Sequence, residues 1–248
     1  MPKIDLKDRK LLYYLSINAR LSDTQLSQKI GLSKNAVKYR INRLQQAGVI
    51  QNFSTIINIG AIGYETIDLF LKFNEDIYEH PKIIDYFKNH KFANLVTTLS
   101  GKWDIYAEFV CRKNLDSFQE LIQEIVTYFG PKLNSYDVLI SGEILRVEDL
   151  VADFYSDLKV EPLPLKKRTP KTHEIDATEA KILNALNEDS KQPLLTLAKK
   201  LNLSLDIVRY RIKNLIQKKI IIKFFPHISL SKLGYIEYLY KLKIKPWE

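Results

Sequence analysis

Cysteine is almost absent from this 248-residue sequence. Cys111 is the only thiol, so the chain can form neither an internal disulfide nor a metal site built from several cysteines. No apolar run approaches the roughly 18–20 residues that a membrane span requires. The eight glycines are scattered rather than grouped into a phosphate-binding loop, and the four histidines show no metal-ligand spacing. We therefore expect a cytoplasmic protein with no cofactor, no metal and no membrane partner.

Acidic charge is in excess only in the middle of the chain. The net charge is +9, but residues 1–60 carry +7, residues 61–157 carry −8, residues 158–174 carry +3 and residues 175–248 carry +7. Basic segments attract polyanions, and an acidic segment is repelled by them. Charge alone leaves two interpretations open, a nucleic-acid partner at both ends and two merely solvated basic surfaces.

An internal repeat relates the two basic ends. A shift of 171 positions aligns residues 4–64 with residues 175–235 without a gap, and 20 of the 61 positions are identical. Two related domains are therefore predicted. The period implies that a full second copy would continue for about a hundred further residues, so we expect this copy to be truncated. Three prolines and a Lys-Lys-Arg run favour a linker over 159–174, with a loop packed on a neighbouring domain as the alternative.

The repeated unit has the pattern of a helix-turn-helix domain. Asp5 with Asp8, Ser22 with Gln25, and Ser33 are N-cap patterns, and they predict helices over about 5–18, 22–31 and 33–48. Asp176 and Glu179 repeat the first of these caps in the second copy. The stretch 49–58 is rich in β-branched and aromatic residues and predicts a two-stranded wing.

The third helix of the first copy indicates the function. If Val37, Ile41 and Leu44 face the core, helical spacing turns a polar face outward. That face carries Asn35, Tyr39, Asn42 and Gln46, with Lys34, Lys38 and Arg43 beside them. No acidic residue occurs from 33 to 48. Amide and phenol groups flanked by cations suit base edges and phosphates in a major groove. The alternative is a basic helix that is only solvated.

The second copy differs on the corresponding face. Asp206, Tyr210, Lys213 and Gln217 point outward there, with Arg209 beside them. Asp206 replaces Asn35 and Leu205 replaces Lys34, so a different sequence preference or weaker DNA binding is predicted. Asn202 and Lys219 replace two helix-ending glycines, and a lysine in a left-handed conformation would cost about 1 kcal/mol.

These motifs resemble the N-terminal half of the Lrp/AsnC regulators. The resemblance is carried by Ile4-Asp5, Asp8, Leu11-Leu12, Leu32-Ser33, Val37 to Ile41, Leu44, Ala47 to Ile50 and Ile62-Gly63-Tyr64. It covers residues 4–64 and, less closely, 175–235. It implies that Ser33 to Arg43 include the DNA-reading helix. The helical angle of Arg40 lies near the buried edge, so we expect Arg40 to serve the fold as well as DNA. The candidate DNA-binding residues are Ser33, Lys34, Asn35, Lys38, Tyr39, Arg40, Asn42, Arg43, Ser204, Arg209, Tyr210, Arg211 and Lys213.

The acidic middle predicts a ferredoxin-like domain. Strands are expected over 65–74, 92–99, 103–110 and 133–141, and helices over 81–89 and 115–128, in βαββαβ order. The fold class is therefore α+β, with two winged helix-turn-helix domains flanking a ferredoxin-like domain. The expected boundaries are 1–60 for the first winged domain, 61–158 for the effector and dimerisation domain, 159–174 for the linker, 175–234 for the second winged domain and 235–248 for the first strand of a truncated second effector domain.

Three segments of this middle and C-terminal region carry further expectations. By resemblance, the hairpin over 99–105 places Gly101 and Asp104 near an amino-acid pocket or a subunit interface; the alternative is a tight turn with a capping carboxylate. Residues 143–158 predict an amphipathic helix that packs on the sheet or mediates dimer contact. The strand expected over 235–244 should pair with a sheet of this chain or of a partner.

A regulator that binds double-stranded DNA, modulated by a small molecule such as an amino acid, is the function that these patterns favour. We expect no enzyme activity, and a homodimer or higher oligomer built through the central sheets, because two-fold pairing matches palindromic DNA. One alternative is a protein–protein module that recruits transcription machinery. Another is a sirohaem decarboxylase, whose plan is similar, but residues 93–99 lack the histidine, tyrosine and arginine cluster of those enzymes.

Overall fold

The computed structural model describes residues 2–140, 150–158 and 172–242. The first repeat forms three helices and a strand: α1 (Leu6–Ile17), α2 (Asp23–Ile30), α3 (Lys34–Gln46) and β1 (Ile50–Ile57). The second repeats this order: α7 (Ala177–Glu188), α8 (Leu194–Leu201), α9 (Leu205–Gln217) and β6 (Ile221–Ile228). The central part holds β2 (Tyr64–Phe73), α4 (Pro81–Asn89), β3 (Ala93–Thr98), β4 (Ile105–Arg112), α5 (Leu115–Phe129) and β5 (Leu133–Ile140), followed by a short α6 (Ala152–Tyr155).

The helix ends lie where the local sequence predicts them. Asp5 with Asp8 and Ser22 with Gln25 form reciprocal capping boxes, and Ser33 accepts a hydrogen bond from the backbone of Ala36 at 3.2 Å. The corresponding box in the second copy, Asp176 with Glu179, is also present. Among the described residues other than glycine, positive φ angles occur at Asn202 and Lys219 alone, at 53° and 55°, as the replacement of two glycines predicts.

The predicted two-stranded wings are wrong. Within residues 49–58 the first copy has the single strand β1, and its antiparallel partner is β6 of the second copy. Each copy thus completes the other's sheet, because one strand alone would leave its backbone donors and acceptors unpaired. The helices of both copies share one continuous hydrophobic cluster with this two-stranded sheet.

The central part confirms the ferredoxin-like plan. Its four strands lie in the order β3-β4-β2-β5, and all neighbours are antiparallel. Alternate residues of β2 and β4, among them Leu69 and Phe109, are fully buried in a core that also holds residues of α4 and α5. The opposite face carries Phe70 and Tyr106, whose rings are 5.2 Å apart, and part of it shares a pocket with residues 228–231 and 235–239.

The described part of the predicted 143–158 helix differs from the expectation. Residues 141–149 lie outside the described residues, and only Ala152–Tyr155 is helical within 150–158. This segment packs on α1 rather than on the four-stranded sheet: the Tyr155 and Tyr13 rings are 5.4 Å apart, and Arg9 Nε donates to the carbonyl of Phe154 at 2.8 Å. Its apolar side chains complete the helix-turn-helix core.

The strand predicted over 235–244 is also wrong for the residues that can be described. Residues 235–242 form no strand and belong to neither sheet of the described chain. They reach the open sheet face through Lys241, which forms an ion pair with Asp137 and lies 5.4 Å from the Phe70 ring centre. Ile236 and Tyr240 remain about three-quarters exposed, at 75% and 76%.

Candidate DNA-binding surface

The outward face of α3 is open to solvent. Lys34, Asn35, Lys38, Tyr39 and Asn42 are all exposed, and the Tyr39 side chain keeps 67% of its surface accessible although it is a large ring. The buried residues of this helix are Val37, Ile41 and Leu44, as helical spacing predicts. This protruding, carboxylate-free face is the first element of a nucleic-acid surface.

Two of the predicted DNA-binding residues on α3 form ion pairs with α1. Arg40 Nη1 lies 2.7 Å from Asp8 and 2.7 Å from Asp5, and Arg43 also hydrogen-bonds to Asp8. The Asp8 side chain is 0% exposed. A buried carboxylate requires such cationic partners, because burial strongly disfavours an unpaired charge. Arg40 and Arg43 therefore fix α3 against α1.

The contact between Arg40 and Asp5 shifts the pKa values of both side chains. Burial raises the pKa of Asp5, but the backbone N–H of Asp8 and the Arg40 guanidinium outweigh it and lower that pKa to about 2. The hydrogen bond from Arg40 to Asp5 raises the pKa of Arg40. Both groups are therefore charged throughout the physiological pH range.

The second recognition helix repeats this division. Tyr210 is 63% exposed and Lys213 is exposed, whereas Arg211 binds Asp176 at 2.5 Å and lies 3.6 Å from Glu179. Arg209 is exposed and is 3.4 Å from Asp206. Ser204 caps α9 through the backbone of Ile207, just as Ser33 caps α3, so both serines shape their helices.

A groove beside α3 adds residues that sequence analysis did not select. Lys38 and Asn42 share it with Gln51 and Asn52 of β1, and its volume is about 420 Å³. The groove is also lined by Asp23 of the first copy and by residues of the second copy, namely Glu188, Asp189, Lys191, Gln192 and Pro193. The sequence alone does not identify the amide side chains of residues 51–52 as part of this surface, because its pattern places them in a wing and not in the recognition helix.

The predicted effector residues lie in the β3–β4 hairpin of the central part. Gly101 adopts a φ of +134°, a conformation that favours glycine. Both carboxylate oxygens of Asp104 are engaged, one with Lys72 Nζ at 2.6 Å and the other with the backbone N–H of Phe73 at 2.8 Å. Asp104 thus ties the hairpin to β2, the structural role that the sequence left open beside ligand contact.

The chain resembles known regulators over both basic ends. Residues 4–51 match the family described as winged helix-turn-helix DNA-binding, and residues 175–216 match the AsnC-type helix-turn-helix domain. An uncharacterized helix-turn-helix-type transcriptional regulator of Pyrococcus furiosus is 30% identical over 152 residues, which cover 59% of this chain and 99% of that protein. The chain belongs to the AsnC/Lrp family. As a member of this family, it is a DNA-binding transcription regulator.

Further relatives extend this likeness to the central part. The transcriptional regulator AzlB of Bacillus subtilis is 30% identical to this AsnC/Lrp protein over 152 residues, covering 55% of the chain and 87% of AzlB. A Neisseria meningitidis transcriptional regulator, solved with L-Met, shares the fold with a TM-score of 0.53 and 14% identity over 61% of this chain and 98% of that one.

One similar fold belongs to an enzyme. The sirohaem decarboxylase NirDL superposes with a TM-score of 0.59 and 12% identity, covering 89% of this chain and 65% of the enzyme. At that identity the likeness concerns the fold alone. Within residues 2–140, 150–158 and 172–242, no group of three His, Cys, Asp or Glu side chains is placed to hold a metal, and no helix is long and apolar enough to cross a membrane.

Proposed function

We propose that this AsnC/Lrp regulator reads double-stranded DNA sequence-specifically with the exposed face of α3 and catalyses no reaction. The observation that carries the proposal is the separation of roles on that helix. Lys34, Lys38 and Tyr39 lie in solvent, whereas the two arginines are held by carboxylates of α1. Free cations can contact phosphates, while amide and phenol groups can contact base edges.

This division narrows the set of residues proposed to touch DNA. Ser33 and Ser204 shape the helix ends, and Arg40, Arg43 and Arg211 hold each recognition helix on its domain. The residues proposed to contact DNA are Lys34, Asn35, Lys38, Tyr39 and Asn42 of α3 and Arg209, Tyr210 and Lys213 of α9.

The test compares two lysine substitutions of equal charge. A duplex is first selected from a random library, and its affinity is then measured by fluorescence anisotropy at several salt concentrations. Lys38→Gln should weaken binding and reduce the salt slope by about one, because one phosphate contact is lost. Lys88→Gln, on an exposed position of α4, should leave both unchanged.

Three outcomes would oppose this assignment. Unchanged affinity in a Lys34→Gln, Lys38→Gln double variant would show that another element contacts DNA. Affinity without salt dependence would favour the protein–protein module that sequence analysis left open. Conversion of sirohaem, followed by absorbance, would contradict the absence of catalysis.

We further propose an amino-acid effector in the cytoplasm. The L-Met complex of the Neisseria meningitidis regulator supports the ligand class. Gly101 lies open in the hairpin, since a Cβ atom added to it would meet no other atom within 4 Å. A stabilising shift of the unfolding temperature by one L-amino acid, and not by its D-enantiomer, would support the proposal. No shift with any of the common amino acids would remove it.

We propose that the chain forms a homo-oligomer through the face of the central sheet that carries Phe70 and Tyr106. Leu95 and Leu139 keep 50% and 39% of their surface exposed there, while Lys241 covers part of the same face. Light scattering of the free protein tests this proposal directly. A mass that remains that of one chain at micromolar concentration would contradict it.

A further inference from the structure

The pairing of β1 with β6 follows a local two-fold axis. Ser54 pairs with Phe225, and these two residues are equivalent positions of the repeat, 171 residues apart. The neighbouring pairs, Phe53 with Pro226 and Thr55 with Phe224, exchange with each other under the same shift. The axis therefore passes through the centre of the two-stranded sheet and relates one copy to the other.

Hydrogen bonds between the copies obey the same axis. Outside the β1–β6 ladder, four backbone hydrogen bonds between the described residues of the two copies form two reciprocal pairs: Ala19 to Phe224 and Ser190 to Phe53, both 3.0 Å, and Asn58 to Ile220 at 2.8 Å with Ser229 to Val49 at 2.9 Å. In each pair, donor and acceptor are shifted by 171 residues and exchanged between copies. A matched set of this kind is the contact pattern of an isologous dimer interface, here built within one chain.

Cationic side chains repeat the arrangement. Arg20 lies 5.6 Å from the ring centre of Phe224, and its equivalent Lys191 lies 5.6 Å from that of Phe53. Arg20 also donates to the carbonyl of Ser190, and Lys191 donates to the carbonyl of Ala19 at 3.0 Å. These contacts lie against the shared hydrophobic core. The two copies are consequently held as one unit with a fixed relation between α3 and α9.

We infer that one chain reads both halves of an inverted DNA repeat by itself. Two-fold helix-turn-helix dimers place their recognition helices in half-sites about one helical turn apart, and the symmetry of the operator mirrors that of the protein. Here the intrachain axis supplies that symmetry, and Tyr39 and Tyr210 occupy equivalent exposed positions. This inference rests on the proposed function and adds the form of the DNA site and the number of chains that fill it.

The two half-sites differ in sequence. The amide of Asn35 in α3 can both donate a hydrogen bond to an adenine edge and accept one from it. The carboxylate of Asp206 in α9 can only accept, and it therefore favours the amino group of cytosine. The Asp206 side chain is 91% exposed and lies 3.4 Å from Arg209, so both side chains are on the solvent side of α9, where a groove can reach them. Lys34 has the apolar Leu205 as its counterpart, which removes one phosphate contact from the second half. The preferred operator is thus an imperfect inverted repeat with a stronger and a weaker half.

Stoichiometry tests the first part of the inference. A duplex recovered from a random library is titrated with protein at concentrations far above the dissociation constant. The expected equivalence point is one chain for each pair of inverted half-sites, whether the chains are single or joined in the oligomer proposed above. Two chains for each pair of half-sites, or a motif with a single half-site, would overturn the inference while leaving DNA binding by the regulator intact. No binding to any duplex would instead refute the proposed function.

Specificity tests the second part. Asp206→Asn should abolish the cytosine preference in one half-site only, changing the affinity ratio of matched and mismatched duplexes about tenfold at that position, and should bring the selected motif closer to a perfect inverted repeat. Glu120→Gln, which removes one negative charge from an exposed position of α5, is the matched control and should leave the motif unchanged. The same change in both half-sites, or none, would overturn the assignment of unequal halves.

Discussion

Arg40 separates the requirements of folding from those of DNA binding, and its replacement by alanine gives a quantitative test. Its Nη1 atom contacts Asp8, which is 0% exposed, and both carboxylate oxygens of Asp5, at 2.7 to 2.8 Å. Breaking a buried ion pair by removing one partner typically costs about 3–5 kcal/mol. Arg43 continues to contact Asp8 and Asp5 is half exposed, so we expect a smaller loss than this, about 2–3 kcal/mol.

The measurement is urea unfolding followed by circular dichroism, with Lys38→Ala as the control. Lys38 is exposed on the same helix, so its replacement should change the free energy of unfolding by less than about 0.5 kcal/mol. DNA affinity is then measured well below both unfolding transitions. There Arg40→Ala should retain binding, whereas Lys38→Ala should lose much of it.

The opposite pattern would refute the reasoning. If Arg40→Ala were as stable as the unmodified chain and failed to bind DNA, the ion pairs with α1 would be incidental and Arg40 would be a DNA contact after all. A double replacement of Arg40 and Asp8 by alanine offers a further check. Because Arg40 and Asp8 contact each other at 2.7 Å, the double variant should lose less stability than the sum of the losses of the two single variants.

Three further predictions concern local chemistry. Lys219→Gly should raise the free energy of unfolding by about 1 kcal/mol, since φ is +55° there, while Lys218→Gly, at φ −70°, should lower it. Because the folded pKa of Asp5 is lowered to about 2, its stabilising contribution is complete above its ordinary value near 3.8 and should disappear between pH 4 and 2 in acid titrations. Burial raises the pKa of the Cys111 thiol, so a thiol reagent should modify it slowly in the native protein and rapidly in urea.

Local features of the fold could be predicted from sequence because their causes lie within a few residues. The capping boxes at Asp5 and Asp176 need only a partner three positions away, and they are present. The positive φ angles at Asn202 and Lys219 followed from their alignment with helix-ending glycines. The βαββαβ order of the central part was predictable for a similar reason, since each strand and helix carries its own periodicity.

Long-range partners were not predictable in the same way. The strand after each recognition helix had the composition of a wing, but its partner lies in the other copy, more than 160 residues away. Similarly, the cationic pattern on α3 did not show that Arg40 and Arg43 bind Asp8, which is 32 and 35 residues distant. Helical angle placed Arg40 near the buried edge, and that was the one sequence signal of its structural role.

Because the two copies are joined in one chain, DNA binding should depend differently on protein concentration than it does in a dimer of separate subunits. In a regulator assembled from separate subunits, dilution first dissociates the dimer that binds DNA. Operator occupancy then falls more steeply than in proportion to the protein concentration. A covalent connection fixes the local concentration of one copy around the other. The β1–β6 pair should therefore persist even at a few molecules per cell. Operator occupancy should then follow a simple hyperbola as the concentration of this protein is raised. A defective copy also cannot be exchanged into an intact neighbour.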